Sequence, residues 1–363
     1  DITPPMHAWS NVAAPTERDR TTSDQGDGEP LTLAASITAA LGDAMTVDPR
    51  VIVFGEDVGR KGGVYGATRG LARKFGAARV FDTLLDEQSI LGLGLGASLA
   101  GLLPVPEIQY LAYLHNAEDQ LRGEAASLAF FSQGQYRNPM VVRIAGLGYQ
   151  KGFGGHFHND NAVGVLRDIP GIVIACPARG ADAAAMLRTC LASGQVCVFL
   201  EPIALYHTRD LHEPGDDAWL DRYDRRETVP IGSACTYGDG PDLTLVSFAN
   251  GVPMSLRVAR RLEQDRIRAR VVDLRWLAPL PVDDVLREAA ATGRVLIVDE
   301  TRRSGGVSEG VIAALVDGGF AGSVARVTSA DSFVPLGPAA NHVLLGEDEI
   351  EEAARRLVKE GSV

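Results

Sequence analysis

Two stretches of this sequence hold residues whose types and spacing could do chemistry. The first is a pair of adjacent carboxylates, Asp86 and Glu87. They head the run LLDEQSILGLGLGASLAG (residues 84–101), which carries no other charge. An acid in the first turn of a helix meets unpaired N–H groups and the positive end of the helix dipole. Capping is therefore the ordinary explanation for it. The second stretch is GLGYQKGFGGHFHND (residues 146–160), a glycine-rich loop that ends in His156, His158 and Asp160. It follows an apolar strand pattern, and open α/β sheets bind ligands beyond the carboxyl ends of their strands. Glycine-rich loops in that position carry function disproportionately often. An H-x-H pair can ligate zinc, but no clear third ligand accompanies it here. A surface loop with incidental histidines is the competing reading.

A third stretch tempts and fails. GLGLGA (residues 92–97) contains the G-x-G-x-G spacing of a dinucleotide loop. It lies inside a predicted helix, not at a strand-to-helix turn where backbone amides could cradle a pyrophosphate. Small residues there serve close helix packing.

The elements that must position these residues alternate along the chain. From residue 31, apolar strands VIVFGEDV, RVFDTLL, PVPEIQY, PMVVRIA, GIVIACP and VCVFL are interleaved with helices. The helices include LTLAASITAALGDAM, the 84–101 run, NAEDQLRGEAASLAFF and DAAAMLRTCLA. Short apolar strands between helices predict a parallel sheet covered on both faces. Residues 212–230 lose the rhythm and read as an interdomain connection that packs through Trp219 and Tyr223. A second series follows, with strands DLTLVSF, ARVVDLRWL, RVLIVDE and SVARVTS and four helices. The expected organisation is a linker over 1–30, an α/β domain over 31–211, a connection over 212–230 and a second, smaller α/β domain over 231–363. Both domains are expected to be doubly wound.

Composition narrows the function class. The 363 residues leave room for about two or three domains, with 45% hydrophobic and 23% charged residues. The net charge of −12 offers no basic stripe for phosphate backbones, which disfavours nucleic acid. No apolar run reaches the ~18 residues of a membrane span. Cys176, Cys190, Cys197 and Cys235 form no C-x-x-C pair and sit in apolar contexts, as reduced core cysteines of a cytoplasmic protein do. The first thirty residues, rich in Pro, Asp, Thr and Ser, cannot bury a core, and such a start suggests a fragment of something longer.

Taken together, particular motifs carry a family resemblance. GEDVGRKGGVYGATRGLARKFG, FDTLLDEQSILGLGLG, PVPEIQYLAYLHNAEDQ, NPMVVRIAG, GGHFHND, PGIVIACPARGADAAAMLR, VVDLRWLAPLP and RVLIVDETRRSGG occur in order. Over residues 31–358 the chain resembles the beta subunit, or the C-terminal beta-like half of a fused chain, of the thiamine-diphosphate-dependent first component of 2-oxo acid dehydrogenase complexes. That group is transketolase-like. The resemblance implies a pyrimidine-binding domain followed by a transketolase C-terminal-like domain. It also implies an alpha-like half that holds the diphosphate and Mg2+ through a GDG…Asn-Asn motif. This chain has GDG at 26–28 and 238–240 but no Asn-Asn pair, so both occurrences read as coincidental.

The resemblance gives roles to the first residues. Glu87 matches the glutamate that hydrogen-bonds N1′ of the aminopyrimidine, where a buried carboxyl with a raised pKa suits proton exchange. Asp86 then keeps the capping role. Tyr113 matches the ring that stacks on the pyrimidine, with Tyr110 as rival. Leu85 and Asn116 match further cofactor contacts. His158 matches the loop histidine that assists acyl transfer to lipoamide, with His156 as rival. A monovalent cation, K+ in the family, is implied at the backbone carbonyls of Cys190, Leu191, Ser193 and Gln195. The departures fall on the substrate side. The family's Thr-Pro-x-Ser-Glu is Thr83-Leu84-Leu85-Asp86-Glu87 here, its Asp before the stacking Tyr is Ala112, and its Ser-Gln after the histidine is Asn159-Asp160.

The implied activity is oxidative decarboxylation of pyruvate or a branched-chain 2-oxo acid with acyl transfer to lipoamide. The implied partners are the alpha-like half, a second copy of this chain in a heterotetramer, and the lipoyl acyltransferase core. Two alternatives stand beside it. One is transketolase-like ketol transfer, for which the basic phosphate-binding residues are not evident. The other is a non-catalytic docking half.

Overall fold

The computed structural model describes residues 28–150 and 152–360 and contains two large sheets and one small ribbon. The linker expected over 1–30 lies outside the described residues up to position 27, and Pro30 already belongs to strand β1 (Pro30–Leu31). Thr32 starts helix α1 (Leu33–Val47), its hydroxyl accepting the Ala35 N–H at 3.4 Å. The first series continues with β2 (Val51–Gly55), α2 (Leu71–Phe75), β3 (Val80–Asp82), α3 (Glu87–Leu99), β4 (Leu103–Ile108) and α4 (Leu111–Leu114). It closes with α5 (Leu128–Phe131), β5 (Met140–Gly146), α6 (Gly164–Arg167), β6 (Val173–Ala175), α7 (Gly180–Ala192) and β7 (Val196–Pro202).

In the connection, β8 (Asp221–Arg222) pairs antiparallel with β1. The buried Trp219 lies under the Arg179 guanidinium, 4.7 Å from the ring. The second series is β9 (Cys235–Tyr237), β10 (Leu243–Ser247), α8 (Gly251–Leu262), β11 (Ala269–Asp273) and β12 (Trp276–Ala278). It ends with α9 (Val282–Thr292), β13 (Arg294–Arg302), α10 (Val307–Asp317), β14 (Ser323–Ser329) and α11 (Glu347–Glu360).

The first sheet runs β12-β6-β7-β5-β4-β2-β3 and is parallel except for β12. The second runs β14-β13-β10-β11-β9 and is parallel except for β9. Side chains alternate along a strand, so Val51 and Val53 of β2 enter one core while Ile52 and Phe54 enter the other. Both faces are apolar, which is why these strands read as continuous hydrophobic runs.

One charged group crosses this interior. Arg143 on β5 is 1% exposed and forks onto Glu201 of β7 at 2.6 and 2.8 Å and onto Glu107 of β4 at 2.6 Å. Burial pushes the Glu107 carboxyl up, against the pull of Arg143.

Four expectations need correction. The single helix expected from Asn116 to Phe131 is interrupted: a π-helical turn occupies Gln120–Ala125, and the short α5 follows at Leu128–Phe131. Its N–H groups there reach back five residues, as Ala126 does to Leu121 at 2.9 Å. ARVVDLRWL is not one strand. Arg275 takes φ +59° and its N–H is held by the Asp273 carboxylate at 3.0 Å. The turn sends β12 out of the second sheet into the first, where Trp276 pairs with Ala175. Strand β9 was not foreseen, its three residues being too short for a periodic signal. Finally, the close packing expected of the small residues in α3 holds on one side of the helix only. Gly94 sits tight, where a Cβ would meet Met140 and Pro106 at 3.4 Å, but Gly92, Leu93, Gly96 and Leu99 form an open face.

Candidate active site

Strands β5, β4, β2 and β3 are neighbours in the sheet, and all four point the same way. Their carboxyl ends therefore make one continuous row. The chain leaves each end into a segment that carries a candidate residue. Glu56 follows β2, Glu87 opens α3 after β3, Tyr110 and Tyr113 follow β4, and the histidine loop follows β5.

Glu87 is part-exposed in the first turn of α3, and the Asn116 amide donates to its Oε2 at 2.9 Å. The carboxyl was expected to be buried, but Leu84 and Leu85 beside it are also 80% and 84% exposed. Asp86 occupies the N-cap position, yet its carboxylate accepts from the Ser89 hydroxyl and from no helix N–H. The capping role expected of that side chain is not taken up.

The buried acid of the row is Glu56, which the sequence reading passed over. It is 6% exposed, and its pKa is pushed up to about 7. Burial is the main cause. The charges of Glu87 and Asp57 follow, together with a hydrogen bond shared with Glu87. Two carboxyls so placed favour holding one proton between them. The signal was available: GED stands at the end of a strand, where ligand-binding residues concentrate.

Tyr113 is part-buried, and its hydroxyl lies 3.3 Å from His158 Nε2. Burial raises its pKa, assisted by Tyr110 and then by the charges of Glu56 and Glu87. The His158 ring also stands edge-on to Tyr110, with centroids 4.8 Å apart. Tyr110 itself is buried, with the Tyr65 hydroxyl donating to it at 3.0 Å. His156 points elsewhere and stacks with Phe157 and Phe333. The loop's glycines allow this arrangement: Gly155 has φ +79°, and a Cβ on Gly154 would stand 3.0 Å from His158 Nδ1.

Asp160 anchors the loop from below. It accepts from His115 Nε2 at 2.9 Å, from Arg302 Nη2 at 3.1 Å and from the Ala162 N–H at 3.2 Å. Its hydrogen bond is the main reason the His115 pKa is raised. Arg302 ends β13, so this contact ties the loop to the second sheet. Neither His115 nor Arg302 was singled out from sequence.

Cys190, Leu191, Ser193 and Gln195 lie where α7 ends. The Cys190 carbonyl accepts from the Ser193 hydroxyl at 2.8 Å, and the Gln195 carbonyl from the Met140 N–H at 3.2 Å. Among the described residues no group of three or more His, Cys, Asp or Glu could hold a metal ion. At the 238–240 turn, a Cβ on Gly240 would lie 2.4 Å from Arg268 backbone, so its glycine serves close approach. All four cysteines are buried. No helix among the described residues is long and apolar enough to cross a membrane.

An accessible carboxylate, its buried acid partner and an aromatic ring thus stand along one row of strand ends, with two exposed leucines preceding the carboxylate. Comparison with known proteins gives the class first. Residues 29–208 match the transketolase pyrimidine binding domain, and residues 232–350 match the transketolase C-terminal domain. A solved split-gene transketolase, described as an inactive beta4 tetramer, superposes with TM-score 0.73 and 18% identity. The match covers 92% of this chain and 100% of that one. A transketolase from Leishmania mexicana gives TM-score 0.65 at 15% identity, covering 100% of this chain and 49% of that one. At those identities the likeness speaks for the fold alone.

Sequence relatives carry the assignment further. A pyruvate dehydrogenase E1 component subunit beta of Bacillus subtilis is 33% identical over 337 residues, 91% of this chain and 99% of that protein. One from Staphylococcus epidermidis is 34% identical over the same span. The chain belongs to this E1 beta-subunit family, within the transketolase-like group.

Proposed function

We propose that this chain is the beta-type half of a thiamine-diphosphate-dependent 2-oxo acid dehydrogenase. With an alpha-like half, it takes part in oxidative decarboxylation of a 2-oxo acid and passes the acyl group to lipoamide. The relatives' names favour pyruvate over a branched-chain acid. The observation that carries the reading is the Glu56–Glu87 pair, set on an open row of strand ends beside exposed leucines.

When bound, thiamine diphosphate supplies a nucleophilic carbon and an electron sink for decarboxylation. The residues present fit the pyrimidine end of that group. Glu87, held at Oε2 by Asn116, exchanges a proton with a ring nitrogen. Glu56 keeps that proton available near neutral pH. Leu85 and Tyr113 take the ring's apolar faces. His158, which Tyr113 and Tyr110 orient, moves a proton at Nε2 during acyl transfer. Tight binding needs the alpha-like half, which brings the diphosphate contacts and Mg2+.

The same half would cover Leu84, Leu85 and the open face of α3, exposed apolar surface of the kind that marks an interface. A second copy completes a heterotetramer, and the lipoyl acyltransferase core docks to the second domain. The carbonyls at the end of α7 are the proposed K+ ligands. Buried cysteines with no C-x-x-C pair suit a reducing compartment, the cytoplasm.

Glu87→Gln tests the reading, because it keeps shape and hydrogen bonding but removes the exchangeable proton. In the assembly with the alpha-like half, decarboxylation measured with an artificial electron acceptor should fall by about 10²-fold or more. Near-normal turnover would return Glu87 to a structural role at the helix start. NADH formation dependent on lipoamide, run in parallel, separates this activity from ketol transfer and from pure docking.

A further inference from the structure

A surface pocket of about 550 Å³ lies between α1, the segment that leads into α2, and the connection near β8. None of its residues belongs to the row of strand ends. Its charged lining is Arg69, Arg73, Lys74 and Arg225 with one acid, Asp43.

The charge pattern is unusual for a chain of net charge −12. Several other arginines here are matched to carboxylates, as Arg257 and Arg261 are to Glu347 and Arg270 is to Glu288. Arg69, Arg73 and Lys74 are exposed, and none has a carboxylate partner among the described residues. The acid in the wall is already engaged. Asp43 accepts from the Tyr223 hydroxyl at 2.8 Å and pairs with Arg225 Nε at 3.3 Å. Its charge is met inside the wall, and three positive charges remain for whatever enters.

Several cations around one concavity match the chemistry of a multiply charged oxyanion. Two are guanidinium forks, which bond phosphate oxygens in pairs. A single carboxylate would leave two of the three charges unmatched. The volume falls in the range of small-ligand sites and exceeds what a bare ion fills. We propose that this pocket binds a small phosphate-bearing ligand of about nucleotide size, at a site separate from the Glu56–Glu87 row.

The test is direct binding to the full chain, with no turnover involved, so its failure would leave the proposed function untouched. Calorimetric titrations with ADP, AMP and inorganic phosphate provide the probes. ADP should bind at least 10-fold tighter than inorganic phosphate, with affinity falling as salt rises. R73E/K74E should weaken ADP at least 10-fold while the urea unfolding midpoint stays in place, because both side chains are exposed. If that double variant loses stability, R69A/R73A provides the same reading with less charge reversal. Absence of ADP binding at millimolar concentration would overturn the proposal. So would equal binding of all three probes, or ADP affinity unchanged in both variants.

Discussion

Replacing Glu56 by Gln probes the carboxyl pair through stability alone. Glu56 titrates near 7 in the folded chain, against 4.5 for an ordinary glutamate. A group whose folded pKa is raised contributes stability that is fully present below the unfolded pKa. That contribution is lost as pH rises through the folded pKa. The wild-type chain should therefore weaken between about pH 4.5 and 7 and level off above about pH 8. The gap between the two pKa values corresponds to at most about 3 kcal/mol. Water still reaches the mouth of the row beside the exposed Leu84 and Leu85, so about 2 kcal/mol is the expected size. Glutamine reproduces the protonated form and does not titrate. Glu56→Gln should thus exceed wild type by less than about 1 kcal/mol near pH 5 and by about 2 kcal/mol at pH 8. Urea unfolding of both chains at pH 5, 6, 7 and 8 measures the difference. Curves that stay parallel across that range would show that Glu56 is not held near neutrality by its neighbours and that the pair shares no proton.

Other outcomes follow from contacts already described. His158→Ala should damage lipoamide-dependent turnover by about 10²-fold or more while harming decarboxylation less, and His156→Ala should be milder in both assays. The reverse order would put the reactive histidine on Phe333 and not on Tyr113. The isolated chain should bind thiamine diphosphate with Mg2+ weakly or not at all by calorimetry, and tightly once the alpha-like half is added. Strong binding by the chain alone would argue against a divided site. Arg143→Met should cost about 3–5 kcal/mol in urea unfolding, because Glu107 and Glu201 would be left buried without their partner. A loss below about 1 kcal/mol would mean that the two acids take up protons at little cost.

The sequence made the row of strand ends legible because each strand is a short apolar run that stops at a polar residue. Glu87 stood out as an acid heading an uncharged run, and His158 as an imidazole in a glycine-rich loop. Glu56 sits inconspicuously at the polar end of VIVFGEDV. Its importance comes from β2 lying beside β3, with Val53 opposite Val80, and periodicity does not encode which strands are neighbours. The Asp160 hub was hidden for a related reason. Its partners His115 and Arg302 are 45 and 142 positions away along the chain. The broken helix from Asn116 to Phe131 kept a helical composition throughout, and only hydrogen bonds reaching five residues back reveal the π-turn. The exposed face of α3 was unreadable because glycine and leucine look alike in a packed helix and in one awaiting a partner.

The strand Trp276–Ala278 has a consequence for how the chain is made. It forms the outer edge of the first sheet, although more than seventy residues separate it from β7, the preceding strand of that sheet. A growing chain released after residue 211 would leave the backbone groups of β6 without a neighbour on that side, an edge of the kind that invites pairing between chains. The first sheet cannot be finished until most of the second unit's β10 and β11 have also emerged. Such long-range closure slows folding and exposes intermediates to aggregation. Expressing the first unit alone for structural or binding work therefore requires carrying residues 276–278 along, or capping the β6 edge by other means.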